Sequence, residues 1–163
     1  MKTTIGSSLD VRLEPGEGLH IGRSRTVSCS GSIKRKSIAL PQLDGVLARL
    51  LNGMVFVRRL FARDSPGTVT LSCAHGRRLV RIDLDDDESL CVDFSKVIAM
   101  SACVKVRSRI ALSAAAIAAN RVFIKELYCP DSRGGGLVIV ETVGEPVAAR
   151  SPALTFDITR MIA

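Results

Sequence analysis

Two histidines and five cysteines are the side chains in this chain whose chemistry suits a metal ion or a nucleophile. His20 and His75 are far apart in the sequence, and no two cysteines have the close spacing of a zinc site or a redox pair. We therefore expect a hydrogen-bonded structural His20, buried reduced thiols, no catalytic residue, no metal site and no cofactor. A cysteine–histidine nucleophile assembled in space, or a metal bound near either histidine, stays open as an alternative. The cysteines are Cys29, Cys73, Cys91, Cys103 and Cys129.

Two further segments resemble binding loops, but each lacks a feature that such a loop needs. The acids of residues 85–88 are adjacent, whereas a calcium loop places its carboxylates at alternate positions with a glycine and a distal glutamate. The glycines of residues 134–136 precede strand-like residues, whereas a phosphate loop needs a Lys and a Ser or Thr that open a helix. We interpret the first segment as a solvated turn at a hairpin tip and the second as a hairpin loop.

The most suggestive functional feature is a pair of basic runs. In residues 104–109 the cations alternate with Val or Ser, so that in a strand they share one face. Residues 34–36 are consecutive cations at the comparable place in the first half of the chain. Symmetric runs would form paired patches suited to phosphates, although a solvated strand face is the simpler alternative because stacking aromatics are scarce. The candidate nucleic-acid-binding residues are Lys34, Arg35, Lys36, Lys105, Arg107 and Arg109.

Composition places the chain among globular proteins. It has 163 residues, which suits one domain, and 47% of them are hydrophobic, so a core can be built from Val, Ile, Leu and Ala in the absence of Trp. No apolar run reaches the roughly 20 residues that cross a bilayer, and the first residues lack an apolar signal peptide, so we expect a cytoplasmic location. The net charge of +7 favours an anionic partner such as RNA, although an inert basic surface would carry the same charge.

Three segments of the first half return in the second half in the same order. Residues 55–65 match residues 122–132, residues 13–21 match residues 84–92, and residues 38–40 match residues 110–112. The offsets cluster near about seventy residues, which is too long for a solenoid repeat and suits a duplicated half-domain. We predict a single domain, residues 1–163, built of two pseudo-repeats over about 11–80 and 82–150. The alternative is that amphipathic strands resemble one another by composition.

The elements that would position these residues are mostly strands. Turn signals recur at short intervals, which is typical of an all-β fold. Pro15 and Gly16 predict a turn at residues 14–17, and Gly31 predicts a bulge or a tight bend. One short helix is predicted near residues 43–51 from its helical spacing of apolar residues. Strands are predicted at 11–13, 19–21, 27–33, 68–73, 79–84, 97–106 and 137–142, with a turn at 64–67.

Five turn-and-strand motifs resemble a known family. They are Leu-Glu-Pro-Gly-Glu at 13–17, Asn-Gly-Met-Val-Phe at 52–56, Pro-Gly-Thr-Val-Thr-Leu at 66–71, Ile-Asp-Leu at 82–84 and Glu-Ser-Leu-Cys-Val at 88–92. Over roughly residues 11–147 the chain is similar to the altered-inheritance-of-mitochondria, or mitochondrial biogenesis, family, whose fold is similar to that of the tryptophan RNA-binding attenuation protein. The resemblance implies a duplicated β-sandwich or double-stranded β-helix that assembles as a homo-oligomer, a trimer or a ring.

Two functional hypotheses follow. The first is a non-enzymatic cytosolic oligomer that serves as a scaffold or binding protein, since the resemblance brings no catalytic residues with it. The second is a nucleic-acid-binding module that uses the two basic runs and whose affinity falls with salt. A fold analogy does not decide between them.

Overall fold

The structure is a computed structural model that describes residues 2–22, 27–39, 56–85, 88–92, 94–110, 123–130 and 135–143. These residues are almost entirely extended, and one 3-10 turn, Phe94–Lys96, interrupts the strands. The all-β class predicted from the sequence is confirmed, and the helix predicted near residues 43–51 lies outside the described residues. The strands are β1 (Lys2–Gly6), β2 (Ser8–Leu13), β3 (Gly18–Gly22), β4 (Val27–Ala39), β5 (Phe56–Ser72), β6 (Arg77–Leu84), β7 (Ser89–Val92), β8 (Val97–Ser101), β9 (Lys105–Ile110), β10 (Phe123–Tyr128) and β11 (Gly136–Val143).

The larger sheet is nearly closed into a barrel. Its strands follow the order β1-β6-β11-β8-β3-β5-β2, and β4 is added on β5. Strands β1 and β2 are separated only by Ser7, yet β1 pairs with β6 and β2 pairs with β5. The first segment of the chain therefore connects the two ends of the strand order and brings them close together.

Strand β5 is the longest strand, and it runs through the predicted turn at residues 64–67. Along one edge it pairs with β4, and it also pairs with β3 and then with β2. The register of β4 against β5 shifts between Gly31 and Ile33, and Gly31 has a φ of 79°. A Cβ at Gly31 would lie 2.8 Å from the Pro66 carbonyl oxygen. The bulge or tight bend predicted at Gly31 coincides with this register shift, in which Ser32 alone stands opposite residues 63–66 of β5. The separate turn predicted at 64–67 is wrong, because these residues are an irregular stretch of the continuous strand β5.

A second sheet, in the order β7-β10-β9, packs against the barrel. One apolar cluster lies inside the barrel, and a second joins the outer face of β6, β8 and β11 to the second sheet. Strand β11 contributes to both, because Leu137 and Ile139 face the barrel interior while Val138 and Val140 face the second sheet. The continuous apolar run of this strand reflects burial on both faces.

The chain crosses between the two sheets at two connections that the sequence did not place correctly. Strand β6 belongs to the barrel and β7 to the second sheet, so the acidic residues 85–88 join two sheets and the predicted hairpin tip is wrong. The strand predicted at 97–106 is two strands, β8 and β9, because the chain turns at residues 102–104 with a Val104 amide that donates to the Ser101 carbonyl at 3.0 Å.

Two groups of three strands share one order and one register. Strand β5 lies between β3 and β4 as β10 lies between β7 and β9. Leu19 pairs with Leu60 in the first group, and Leu90 pairs with Leu127 in the second. These are the positions that the sequence matches align. Rows of side chains in the two groups can therefore be compared position by position, while the repeat boundaries at about 11–80 and 82–150 stay a prediction.

Candidate functional site: a basic edge and a buried histidine

The first basic run lies on β4, which pairs only with β5 among the described residues. Lys34, Arg35 and Lys36 are all exposed. Lys34 and Lys36 share the outer face, since side chains alternate along a strand. Arg35 faces the other way, beside a small cleft that is lined by Ile21, Val27, Arg35, Arg58 and Leu60. Both faces of this edge strand therefore carry positive charge.

The second basic run lies on β9 and is partly neutralised. Lys105 is exposed and pairs in register with Tyr128. The Arg107 Nε and Nη2 atoms both donate to Glu126 Oε2, at 3.0 and 2.8 Å. The Arg107 guanidinium also lies over the Tyr128 ring, 5.1 Å from its centroid. The backbone of Arg109 pairs with β10, and its side chain lies outside the described part.

Several cations elsewhere in the described residues are held by carboxylates. Arg77 Nη1 lies 2.7 Å from the buried Glu141 Oε2, and Arg81 Nε lies 2.9 Å from Asp83 Oδ1. On the surface, Arg12 and Arg63 pair with Glu14 and Asp64 at 2.9 and 3.7 Å. No carboxylate pairs with the three cations of β4 within the described part of the chain. Unneutralised positive charge is therefore concentrated on that edge.

His20 lies at the buried end of a row that leads to this edge. It pairs with Arg59, which pairs with Lys36 on the other side, so the three side chains share the outer face of β3, β5 and β4. His20 is only 3% exposed, yet neither ring nitrogen has a hydrogen-bond partner among the described residues, and Arg59 Nε is likewise buried without one there. Burial, and to a lesser degree the Arg59 charge, lowers the pKa of His20. His20 is therefore mostly neutral near pH 7, and the prediction of a hydrogen-bonded His20 is wrong.

Comparison with known proteins assigns this arrangement of strands to a family. The family model for mitochondrial biogenesis AIM24 matches residues 3–154. The chain belongs to this family. The resemblance found in the turn-and-strand motifs is confirmed, and the likeness to the tryptophan RNA-binding attenuation protein is not. No curated protein matched the chain.

A solved structure also aligns with this AIM24 family member. The crystal structure of a protein from Streptococcus pyogenes is 12% identical and covers 85% of this chain and 92% of its own, with a TM-score of 0.31. Within the part of the chain that the structure describes, no helix is long and apolar enough to span a membrane.

The thiols of this AIM24 family member are only partly as predicted. All five are free, but Cys91 and Cys103 are exposed, and the expectation of burial is wrong for them. Although the Cys103 residue is exposed as a whole, partial desolvation of its sulfur, followed by a hydrogen bond with the Cys129 thiol, raises the pKa of Cys103 to about 11. This thiol is protonated at neutral pH and is not activated as a nucleophile. His75 lies in an exposed turn, and the described residues contain no group of three possible metal ligands.

The row of His20, Arg59 and Lys36 could not be recognised from β4 alone. The one sequence signal was the match of residues 55–65 with 122–132, in which most pairs are alike but Arg59 is aligned with Glu126. The matched segments thus carry opposite charges at one aligned position. The strand register shows the consequence: Arg59 lies between His20 and Lys36, whereas Glu126 lies between Cys91 and Arg107.

Proposed function

We propose that this chain acts without catalysis, as a scaffold that binds an anionic partner along the outer edge of β4. The observation that carries the proposal is the exposure of Lys34, Arg35 and Lys36 on an edge strand with no carboxylate beside them in the described residues. A positive field of this kind attracts anions over several ångströms and is screened by salt. The family supports a role related to mitochondrial biogenesis and specifies no reaction.

Retention on an immobilised polyanion such as heparin tests the proposal. The variant Lys34→Gln/Arg35→Gln/Lys36→Gln is expected to elute at clearly lower salt than the wild type, because the counterions released on binding scale with the number of cations that contact the polyanion. The matched control is Arg12→Gln/Arg63→Gln/Arg78→Gln, which removes the same formal charge from exposed positions outside β4. Equal elution of the two triple variants would show that only net charge matters, and the proposed site would then be rejected.

We also propose a homo-oligomer, as the sequence predicts. Strands β7 and β9 each pair only with β10 among the described residues, so the second sheet has two unpaired edges of four and six residues. Unpaired edges favour association between copies. On β4, by contrast, the cations of two copies would repel each other. Light scattering coupled to size-exclusion chromatography gives the mass directly, and a monomer at all concentrations would end this proposal.

Nucleic-acid binding is the second candidate function. It is favoured by the register, which places Lys105 and Arg107 of β9 at positions equivalent to Lys34 and Lys36 of β4. It is weakened by Glu126, which neutralises Arg107. RNA affinity that falls steeply with salt, and that the variant Lys105→Ala/Arg107→Ala/Arg109→Ala reduces, would support it. Unchanged binding in this variant would exclude a role for β9.

Two other proposals stand beside these. The cytoplasmic location predicted from the sequence is tested by fractionation of cells that express the chain. The absence of catalysis is supported by the protonated state of Cys103 and by the exposed turn that carries His75. Elemental analysis of the pure protein would reveal a bound metal and overturn the non-enzymatic assignment if that metal supported a reaction.

A further inference from the structure

The two three-strand groups differ in charge at one equivalent position. In the second group, Glu126 is the central residue of its row, and its carboxylate neutralises Arg107 on the neighbouring strand. In the first group the equivalent central residue is Arg59, and the neighbour equivalent to Arg107 is Lys36. The row that contains an internal ion pair in one group therefore consists of two cations and a histidine in the other.

The first row also leaves three buried polar nitrogen atoms without hydrogen-bond partners among the described residues. Both ring nitrogens of His20 and the Nε of Arg59 are buried and have no hydrogen-bond partner in the part of the chain that the structure describes. Buried polar groups in native proteins nearly always have one, because the loss of water must be compensated. His20 is 3% exposed, Arg59 is half-buried and Lys36 is exposed, so the row runs from the protein interior to solvent. Lys36 is the member of the row that solvent reaches, so we expect a ligand to enter from the Lys36 end.

The local backbone makes space for the Arg59 guanidinium. Gly18 precedes His20 on the same face of β3, and a Cβ at Gly18 would lie 3.1 Å from Arg59 Nε and 3.3 Å from the Ala102 Cβ. Because glycine has no side chain, Arg59 can lie close against β3 at this position. Its position beside His20 is set by packing as well as by cross-strand pairing.

We propose that His20, Arg59 and Lys36 form a binding site for an oxyanion, a phosphate or carboxylate group, that occupies the role which the Glu126 carboxylate has in the second group. A neutral histidine offers one N–H donor, and the guanidinium and the ammonium add charge-assisted donors. This site rests on the proposed function in one respect, because Lys36 belongs to both. The β4 edge attracts the polyanion, and the row of His20, Arg59 and Lys36 binds one of its oxyanion groups.

The chain offers a direct spectroscopic probe, because it contains only two histidines. The proton NMR signals of the two imidazole C2 protons can be assigned with the variant His75→Gln. We expect the His20 signal to shift in a saturable way when inorganic phosphate is titrated at constant ionic strength, while the His75 signal in its exposed turn stays in place. A parallel titration with acetate separates the two ligand sources, since the one that saturates at lower concentration identifies the favoured oxyanion.

Substitutions at Arg59 test the geometry. Arg59→Glu installs the internal carboxylate of the second group, and we expect it to abolish the phosphate-induced shift of His20. Arg59→Gln is the milder variant if the charge reversal prevents folding, and it should weaken phosphate binding at least about tenfold, as expected for loss of a charge-assisted hydrogen bond. Lys36→Gln should weaken it as well. The matched control is Arg12→Gln, which removes one charge from an exposed position on β2 and should bind phosphate as the wild type does.

The outcomes separate this site from the proposed function. Lys34→Gln/Arg35→Gln keeps Lys36 and should lose polyanion retention while it keeps the phosphate-induced shift of His20. A shift in that variant, with polyanion retention equal to the wild type, supports the site and rejects the role of the β4 edge. No saturable His20 shift with either anion, or a shift that persists in Arg59→Glu, overturns the oxyanion site and leaves the polyanion result to decide the proposed function.

Discussion

Arg107 and Glu126 form an ion pair within the second sheet in which one carboxylate oxygen accepts two hydrogen bonds. The pair joins the neighbouring strands β9 and β10, with the Glu126 side chain 5% exposed and the Arg107 side chain 45% exposed. Glu126 is thus buried while Arg107 reaches solvent. Loss of either partner should therefore change the stability of the protein by a different amount.

Removal of the Arg107 guanidinium should lower the free energy of unfolding more than neutralisation of the Glu126 carboxylate. Arg107→Ala leaves the buried Glu126 charge without this guanidinium, and we expect a loss of about 1–3 kcal/mol in the free energy of unfolding. Glu126→Gln keeps the shape and places no buried charge, so its loss should be smaller. Urea denaturation of both variants measures the difference. Equal losses, or a larger loss for Glu126→Gln, would contradict the assigned burial.

The stability of the protein should fall in mild acid because of His20. Burial lowers the pKa of His20 in the folded state, with Arg59 acting in the same direction. The unfolded chain therefore binds the proton more readily, and the contribution of neutral His20 is complete above its ordinary pKa of about 6.5 and is lost as the pH falls below that value. Urea midpoints measured between about pH 7.5 and pH 5 should decline more steeply in the wild type than in His20→Asn.

His75 is the matched control for this measurement, because it is exposed in the turn before β6. The variant His75→Gln should retain the pH dependence of the wild type. A wild-type slope in His20→Asn would show that groups other than His20 dominate acid denaturation.

Gly136 is expected to tolerate no side chain beside Val104. A Cβ at Gly136 would lie 2.6 Å from Val104 Cγ2 and 3.4 Å from the Cys129 Cβ. Gly136→Ala should therefore destabilise the protein by about 1–3 kcal/mol through overpacking. Val104→Ala removes the clashing methyl groups, so the double variant should lose less stability than the sum of the two single losses. Strict additivity in thermal or urea unfolding would show that the two positions do not touch.

Packing between the barrel and the second sheet depends on Leu127. This side chain is fully buried in the cluster that joins the two sheets. Leu127→Ala should cost about 2–5 kcal/mol in the free energy of unfolding. Val143→Ala is the control, since Val143 is 58% exposed and its truncation should change stability little. A small effect at Leu127, measured by chemical denaturation, would mean that the second sheet packs loosely on the barrel.

The sequence predicted the strands well where alternation or turn chemistry was local. Residues 79–84 alternate and form the end of β6, and the turn at Pro15–Gly16 is present, with a Gly16 φ of 88°. The residue type of Gly31 predicted a bulge or a tight bend, and the pairing of β4 with β5 shifts register beside it. These features depend on backbone preferences of a few neighbouring residues, so the residue types are sufficient to indicate them.

Local sequence could not predict which sheet each strand joins, nor that His20, Arg59 and Lys36 lie side by side. Residues 85–88 look like a hairpin tip, but their flanking strands pair with partners far away in the chain, and local composition does not record that choice. The pairing of Arg59 with both His20 and Lys36 likewise requires the register of three strands. The basic run itself was visible in the sequence; its lack of a neutralising acid was not.

The bend between β1 and β2 has a consequence for how the protein comes apart. Lys2–Gly6 pairs with β6, and Ser8–Leu13 pairs with β5. One short segment therefore connects two strands that do not pair with each other. If this segment detaches, β5 and β6 each lose a paired strand at the same time. The backbone amides of β5 and β6 that face it should therefore exchange hydrogen with the same opening free energy, as one cooperative event.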